Sequence, residues 1–169
     1  MAKHERRALP VGVSHVHQDA GTGGVALFRG MPCDGKRARH RGGTHFANAI
    51  RGVPGGGRPW VVDFGRGKLE PDGEIDILVK GLVFDPNDQS NIDAGLAGRN
   101  TVPNFKAIVS CLSKDGDTAT TVNVETGLFP ADEAGNAHIK DMVDLPQPCI
   151  APIIFVASPG GAWFASTGF

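Results

Sequence analysis

Apolar and polar residues alternate in several short stretches of the second part of the chain, which is the pattern of half-buried β-strands. In the clearest stretch, Ile75, Ile77 and Val79 share one face. Asp76 and Lys80 take the opposite face. The stretches with strand character are residues 60–64, 74–84, 105–112, 118–126, 137–145, 153–157 and 162–167.

Turn sequences separate these stretches. Pro71-Asp72-Gly73 supplies a fixed φ and a permissive glycine, and Pro159-Gly160-Gly161 separates the last two strands. No helical pattern lies between strands, so neighbouring strands are expected to be antiparallel. The pattern therefore predicts an all-β domain over residues 59–169, an antiparallel β-sandwich of about seven strands.

The last part of the domain, residues 145–169, carries no charged side chain. Four prolines and a Gly-Gly pair interrupt it, which excludes a membrane-spanning helix here. We expect two buried strands instead, with Phe155, Trp163 and Phe164 in the core. Uncharged strands of this kind also suggest self-association through sheet edges into a homo-oligomer.

Residues 1–58 have no sustained hydrophobic period. Their apolar runs, residues 25–28 and 46–50, are short, and Gly55-Gly56-Gly57 has the composition of a linker. We predict a separate, poorly structured Gly/Arg/His-rich segment. It is interpreted as a disordered basic arm, as a non-native extension from an incorrect start, or as a small ordered lobe.

The charge of the chain is divided between these two parts, although the whole carries only −1. Residues 1–58 have a net charge of +7 and residues 59–169 a net charge of −8. The densest basic run, residues 36–41, would bind nucleic acid non-specifically and in a salt-sensitive way. Because no aromatic side chains interleave with it to stack on bases, nucleic acid is not the favoured partner.

Five of the six histidines lie in the first part. His15 and His17 fall on one side of an extended strand, and His40 and His45 could add ligands to a metal site. In a Gly-rich segment such side chains are more commonly solvated. A metal site at these four histidines is therefore retained only as an alternative.

A second candidate site is the oxygen-rich loop after residue 84. Extracellular modules often bind calcium weakly through such side chains, whereas Asp and Asn also build turns by bonding to their own backbone. The loop continues without strand pattern to residue 104, and loops of that length are commonly functional. We expect any ligand to bind here or on an exposed sheet face, and calcium is the one cofactor considered. The candidate ligands are Asp85, Asn87, Asp88, Asn91 and Asp93.

The three cysteines are Cys33, Cys111 and Cys149. Cys111 lies near the end of one predicted strand and Cys149 just before another, so we expect a disulfide between them. It would close a loop of about 38 residues and contribute roughly 3–4 kcal/mol. Two buried free thiols are the alternative.

Residues 60–168 resemble a group of uncharacterised, apparently exported proteins of actinobacteria-like genomes. In that group the two cysteines look like a pair, which implies the Cys111–Cys149 bridge. The segments that carry the resemblance are Pro59-Trp60-Val61-Val62-Asp63, Lys80-Gly81-Leu82-Val83, Val109-Ser110-Cys111-Leu112, Leu145-Pro146-Gln147-Pro148-Cys149-Ile150-Ala151-Pro152-Ile153-Ile154-Phe155-Val156 and Ser158-Pro159-Gly160-Gly161-Ala162-Trp163-Phe164-Ala165.

A disulfide predicts an extracellular or cell-envelope location. The start Met1–Arg7 is basic, but no apolar stretch of a signal peptide follows it. The two observations agree if the natural start differs from the written one. Alternatively, the protein is cytoplasmic and its thiols are free.

Motifs of nucleophilic catalysis are not evident. Ser110 and Ser158 do not stand in the GxSxG motif of a nucleophile elbow, and His138 has the pattern of a surface strand residue. We therefore favour a non-catalytic, extracytoplasmic binding or structural module over an enzyme. The alternatives are a metal-binding protein or metal-dependent enzyme that uses the N-terminal histidines with Asp63 or His138, and a nucleic-acid-associated protein that uses the basic segment.

Overall fold

The computed structural model of the chain describes residues 49–167 and the backbone of residues 24–29. This part contains eleven strands and one short helix, and every strand pairing in it is antiparallel. The predicted all-β class is confirmed. The strands are β1 Gly24–Arg29, β2 Trp60–Val61, β3 Phe64–Leu69, β4 Glu74–Lys80, β5 Val83–Phe84, β6 Asn104–Asp115, β7 Thr118–Glu125, β8 Phe129–Pro130, β9 Ala137–Met142, β10 Ile150–Ala157 and β11 Trp163–Thr167, and the helix is α1 Gln89–Asp93.

Nine of these strands form one continuous sheet. Its order is β7-β6-β10-β11-β1-β3-β4-β9, β8 pairs with the start of β6, and β2 and β5 form a separate ladder. A bridge between Ala131 and Ala137 joins the residue after β8 to the first residue of β9. Because β8 pairs with β6, the order of paired strands returns from β9 to β6. The main hydrophobic core lies inside this curved sheet. The predicted division into two packed sheets stays a prediction.

The β3–β4 hairpin has the turn chemistry that the sequence predicts. Gly73 has a φ of 97°, and a side chain at this position would clash with the carbonyl oxygen of Val143. Ile75, Ile77 and Val79 are fully buried, which confirms the predicted inner face of β4. The partner strand β3 was not predicted, because two of its three inward positions, Gly65 and Gly67, are glycines and carry no apolar signal.

Strand β6 is buried on both of its faces from Phe105 to Cys111. Its inner side chains belong to the main core, and Ile108 belongs to a second, smaller cluster on the outer face. Strands covered on both sides carry near-continuous apolar runs instead of alternation. This explains why β6 carries the apolar Ile108 on its outer face, between the polar residues Lys106 and Ser110.

Aromatic rings organise one end of the main core. The Trp60 ring lies 4.1 Å from that of Phe84 and 4.0 Å from that of Phe164, measured between centroids. Phe105 meets Phe164 edge-on at 5.9 Å. These contacts hold the β2–β5 ladder against β11 and β6, and thereby fix the start of the long loop that follows β5.

Residues 49–57, here called the strap, pack against the outer cluster of β6, β10 and β11 and then against Phe164 of the main core. Val53 is buried in the cluster that contains Phe155 and Trp163, and the Pro54 carbonyl accepts a hydrogen bond from the Trp163 N–H at 2.9 Å. A side chain at Gly56 would lie 2.7 Å from the Phe164 ring. The glycine run therefore allows close packing, and the strap contacts the domain although the composition placed it in the preceding segment.

Arg51 attaches the strap to an irregular point of the sheet. The β6–β10 register shifts between Ile150 and Ile153. The Arg51 guanidinium donates to the carbonyls of Ser110 and Ala151 beside this shift, at 2.9 and 2.8 Å. These bonds give partners to carbonyls at a point where the ladder is interrupted.

The uncharged C-terminal strands lie in the middle of the sheet. β10 has β6 and β11 as neighbours, and β11 has β10 and β1. Phe155, Trp163 and Phe164 are buried as predicted. Because both strands are paired on each side, they cannot supply the edges through which self-association was expected.

Candidate functional site

Cys111 and Cys149 form a disulfide with a Cα–Cα distance of 4.9 Å. Cys111 is fully buried on the inner face of β6, and Cys149 immediately precedes β10. The neighbouring residues Leu112 and Ile150 pair across the two strands. The predicted pairing of these cysteines is confirmed.

Asp88 caps the helix of the long loop. Its carboxylate accepts hydrogen bonds from the Ser90 hydroxyl at 2.5 Å, from the Ser90 N–H at 3.0 Å and from the Asn91 N–H at 3.3 Å. The hydroxyl bond, followed by the backbone bonds, lowers the pKa of Asp88 below its ordinary value. This is the geometry of a helix N-cap.

The other acidic side chains of the loop also bond locally. Asp85 accepts the N–H of Asn87 at 2.8 Å, and Asp93 accepts the amide of Gln89 at 2.7 Å. In the part of the chain that the structure describes, no group of three or more His, Cys, Asp or Glu side chains is placed to hold a metal ion. The contacts are those of turn formation, and calcium binding stays a prediction.

Asn91 connects the loop to the domain from a fully buried position. Its amide nitrogen donates to the carbonyls of Pro59 and Asp85, at 3.0 and 3.1 Å. Its amide oxygen has no hydrogen-bond partner among the described residues. The Asn91 side chain thus fixes the start of the loop against the residue that precedes β2.

The end of the same loop forms one wall of an open cleft of about 360 Å³. The opposite wall is the turn between β8 and β9. The cleft thus contains the last part of the loop that the sequence favours for binding. Its lining residues are Arg99, Asn100, Thr101, Val102, Pro103, Ala131, Asp132 and Glu133.

Asn100 holds the two walls of the cleft together. Its side-chain nitrogen donates to the carbonyls of Val102 and Asp132, both at 2.8 Å, and its oxygen accepts the Val102 N–H at 2.8 Å. Its own N–H donates to the Glu133 carbonyl at 2.9 Å. Because Asn100 is buried and its side chain is bonded at both ends, the cleft is preformed.

Asp132 shapes the second wall. Its carboxylate accepts the Asn136 N–H at 2.8 Å and the Asn136 side-chain amide at 2.9 Å. These bonds, the backbone bond first, lower the pKa of Asp132. Asp132 therefore stays ionised at neutral pH and stabilises the turn.

Two charged side chains of the cleft remain open to a ligand. Arg99 and Glu133 are both exposed, and neither forms an ion pair with another residue in the described ranges. Val102 and Pro103 add apolar contact area beside them. The sequence pointed to the loop, but it did not identify Asp132 or Glu133, which approach only through the pairing of distant segments.

His138 pairs with Asp76 on the outer face of the β4–β9 ladder. Its Nε2 lies 2.9 Å from Asp76 Oδ1, and more than half of its side chain is exposed, at 57%. Lys140 and Glu74 face each other nearby at 3.6 Å. The arrangement is that of a charged, solvated sheet face.

The remaining residues considered for chemistry are dispersed. The Ser158 hydroxyl accepts the Ala162 N–H at 3.1 Å within a turn, and the Ser110 hydroxyl is buried beneath the strap without a hydrogen-bond partner among the described residues. The Asp63 carboxylate lies against Gly81, which has a φ of 66°. His15, His17, His40, His45 and the basic run 36–41 lie outside the described residues.

Comparisons with known proteins assign neither a family nor a function to this chain. Protein-family models, curated proteins and solved structures were compared with the chain, and none of them matches it. Among the described residues, no helix has the length and apolar character needed to cross a membrane.

Proposed function

We propose that this chain is a non-catalytic binding module that works outside the cytoplasm, with its ligand site in the cleft between residues 99–103 and 131–133. The observation that carries the proposal is the preformed cleft, whose walls are joined by the buried Asn100. The resemblance of residues 60–168 to apparently exported proteins agrees with this interpretation.

The disulfide supports the proposed location. Disulfides persist in oxidising compartments and are rare in the cytosol of most organisms. A non-reducing peptide map of protein from its native source tests the location. A Cys111–Cys149 peptide supports export, whereas free thiols on a chain that starts at Met1 contradict it.

The charges of the cleft suggest the ligand class. Arg99 presents guanidinium donors to a carboxylate, and Glu133 presents a carboxylate to an ammonium group. A small zwitterion, such as a short peptide with free ends, offers both groups together. The apolar contacts of Val102 and Pro103 suit its short side chains.

Nuclear magnetic resonance titration with the tripeptide Ala-Ala-Ala tests the cleft. We expect saturable amide shifts confined to residues 99–102 and 131–133. Arg99→Gln and Glu133→Gln should each weaken binding about tenfold or more, because each removes one charge-assisted hydrogen bond. Lys114→Gln, near the opposite end of β6 from the cleft, is the matched control. Shifts that do not saturate, or equal loss in the control, contradict the cleft as the site.

A further inference from the structure

Strand β7 offers an edge that pairs with nothing in the described part of the chain. It pairs with β6 along all eight of its residues. No backbone hydrogen bond from another described residue reaches its opposite side. At the other end of the strand order, β9 is bridged through Ala137 to Ala131, and Asp141 accepts the Gly127 N–H at 2.8 Å.

Thr126, the residue that follows β7, shows to which side each β7 residue directs its backbone N–H and C=O groups. The Thr126 N–H donates to the Ala107 carbonyl of β6 at 3.0 Å. Successive residues of an antiparallel strand direct their backbone groups to alternate sides. The even-numbered residues of β7 therefore bond to β6. The residues whose N–H and C=O groups point away from β6 are Ala119, Thr121, Asn123 and Glu125.

The composition of β7 leaves this edge unprotected. Natural edge strands commonly carry lysine, proline or a bulge that blocks pairing with another chain. The β7 sequence TATTVNVE has none of these residues, and its register with β6 is regular. Its single charge, Glu125 at one end, forms an ion pair with Lys106 of β6. Threonine and valine, which dominate it, favour the extended conformation.

We propose that β7 pairs antiparallel with β7 of a second copy of this chain, on a two-fold axis through Val122. In this register Val122 faces itself and Thr120 faces Val124, so the inner, partly buried side stays continuous between the copies. On the outer side Ala119 lies opposite Glu125.

Two alternative registers are disfavoured. A shift of one residue would place inner side chains of one copy opposite outer side chains of the other. A two-fold axis through Thr121 keeps the faces matched but sets Asp117 of each copy opposite Glu125 of the other. Like charges directly opposite each other are destabilising, so the axis through Val122 is preferred to this one.

Sedimentation of the full-length chain over a dilution series tests the interface. We expect a reversible dimer. Thr121→Pro should give a monomer with an unchanged far-ultraviolet spectrum, because the lost N–H points away from β6. Thr121→Val keeps that N–H and is the matched control, so it should remain dimeric.

Two substitutions of opposite charge at position 119 test the register without disturbing the backbone. Each dimer contains two contacts between residues 119 and 125. Ala119→Lys should therefore tighten the dimer and Ala119→Glu should weaken it, with dissociation constants that differ by about tenfold. The two variants also keep the test decisive if Thr121→Pro fails to fold.

Three results would overturn the proposal. The first is a wild-type chain that stays monomeric at the highest concentration reached. The second is a dimer that neither Thr121→Pro nor the two Ala119 variants affect, since the copies would then meet elsewhere. The third is slow hydrogen exchange of the Thr121 and Asn123 amides in dilute, monomeric protein, because another part of the same chain would then cover the edge.

Discussion

At the scale of single residues, some turns depend on glycines that have a positive φ, and in some of these turns other backbone atoms also leave no room for a side chain. Gly73 and Gly116 both have positive φ values, of 97° and 58°. A side chain at Gly73 would lie 1.9 Å from the Val143 carbonyl oxygen, whereas one at Gly116 would meet nothing within 4 Å. Substitutions at the two glycines therefore distinguish the cost of backbone strain alone from the cost of strain combined with a steric clash.

We expect Gly73→Ala to lower the free energy of unfolding by about 2–4 kcal/mol, because it adds a clash to the strain of a positive φ. Gly116→Ala carries only the strain and should lower it by about 1–2 kcal/mol. Urea unfolding followed by tryptophan fluorescence measures both. Equal losses would show that the contact with Val143 has no energetic role.

Asp132 gives the stability of the fold a defined pH dependence. Its pKa is lower in the folded chain than the ordinary 3.8, so the folded state favours the ionised form. Its contribution is complete above that ordinary value and is lost as the pH falls through the lower folded value. The loss therefore belongs to the acidic range below about pH 4.

Asp132→Asn should destabilise the chain at neutral pH and reduce the loss of stability below about pH 4. Urea midpoints measured across this pH range provide the comparison. Asp144→Asn is the control, because Asp144 is exposed and makes no side-chain hydrogen bond to another described residue. The same reduction in both variants would contradict the role of the Asn136 bonds.

At the scale of elements, the strap is attached by individual side-chain and backbone contacts, which no hydrophobic period in its sequence predicts. Arg51 lies at the bulge of β6 and β10, and the Asn123 amide donates to the Arg51 carbonyl at 3.0 Å. The strap covers Ile108, Phe155 and Trp163 on the outer face. Losing it would expose a second apolar cluster, so the strap completes the fold of β6.

Arg51→Ala should loosen the strap and lower the free energy of unfolding by about 1–3 kcal/mol, because two charge-assisted hydrogen bonds are lost. The specific signal is faster hydrogen exchange of the Trp163 amide, which donates to the Pro54 carbonyl. Arg58→Ala removes a single bond to Ser90 and should leave that amide unchanged. Unchanged exchange in Arg51→Ala would show that the strap is held elsewhere.

At the scale of the whole molecule, the disulfide connects elements that are far apart in sequence. Cys111 and Cys149 are 38 residues apart, and β7, β8 and β9 lie between them. Closing this loop restricts the unfolded chain as well as fixing the native one. The bridge therefore matters more for stability than for the shape of any one strand.

Replacing both cysteines with alanine should lower the free energy of unfolding by about 4 kcal/mol through the loop-closure entropy. Guanidinium unfolding in non-reducing buffer measures the change. Cys33→Ala keeps the pair intact and should retain the midpoint of the wild-type chain. A double variant as stable as wild type would contradict the stabilising role of the bridge.

The elements whose signals are local could be predicted from the sequence. Alternation predicted the inner face of β4, the turn at Gly73 predicted its hairpin, and the uncharged C-terminal sequence predicted the buried end of β10 and the buried strand β11. Cys111 and Cys149 could be paired because both lie beside predicted strands. These inferences succeeded because each rests on the periodicity of one strand or the chemistry of one turn.

How these elements meet was set by the tertiary structure alone. It paired β3 through inward glycines, placed the C-terminal strands in the centre and left β7 at the edge. It also brought Arg99 to the same cleft as Glu133, with the buried Asn100 between the walls. Strand order and clefts depend on which distant surfaces bury each other, and this free energy has no local signature in the chain.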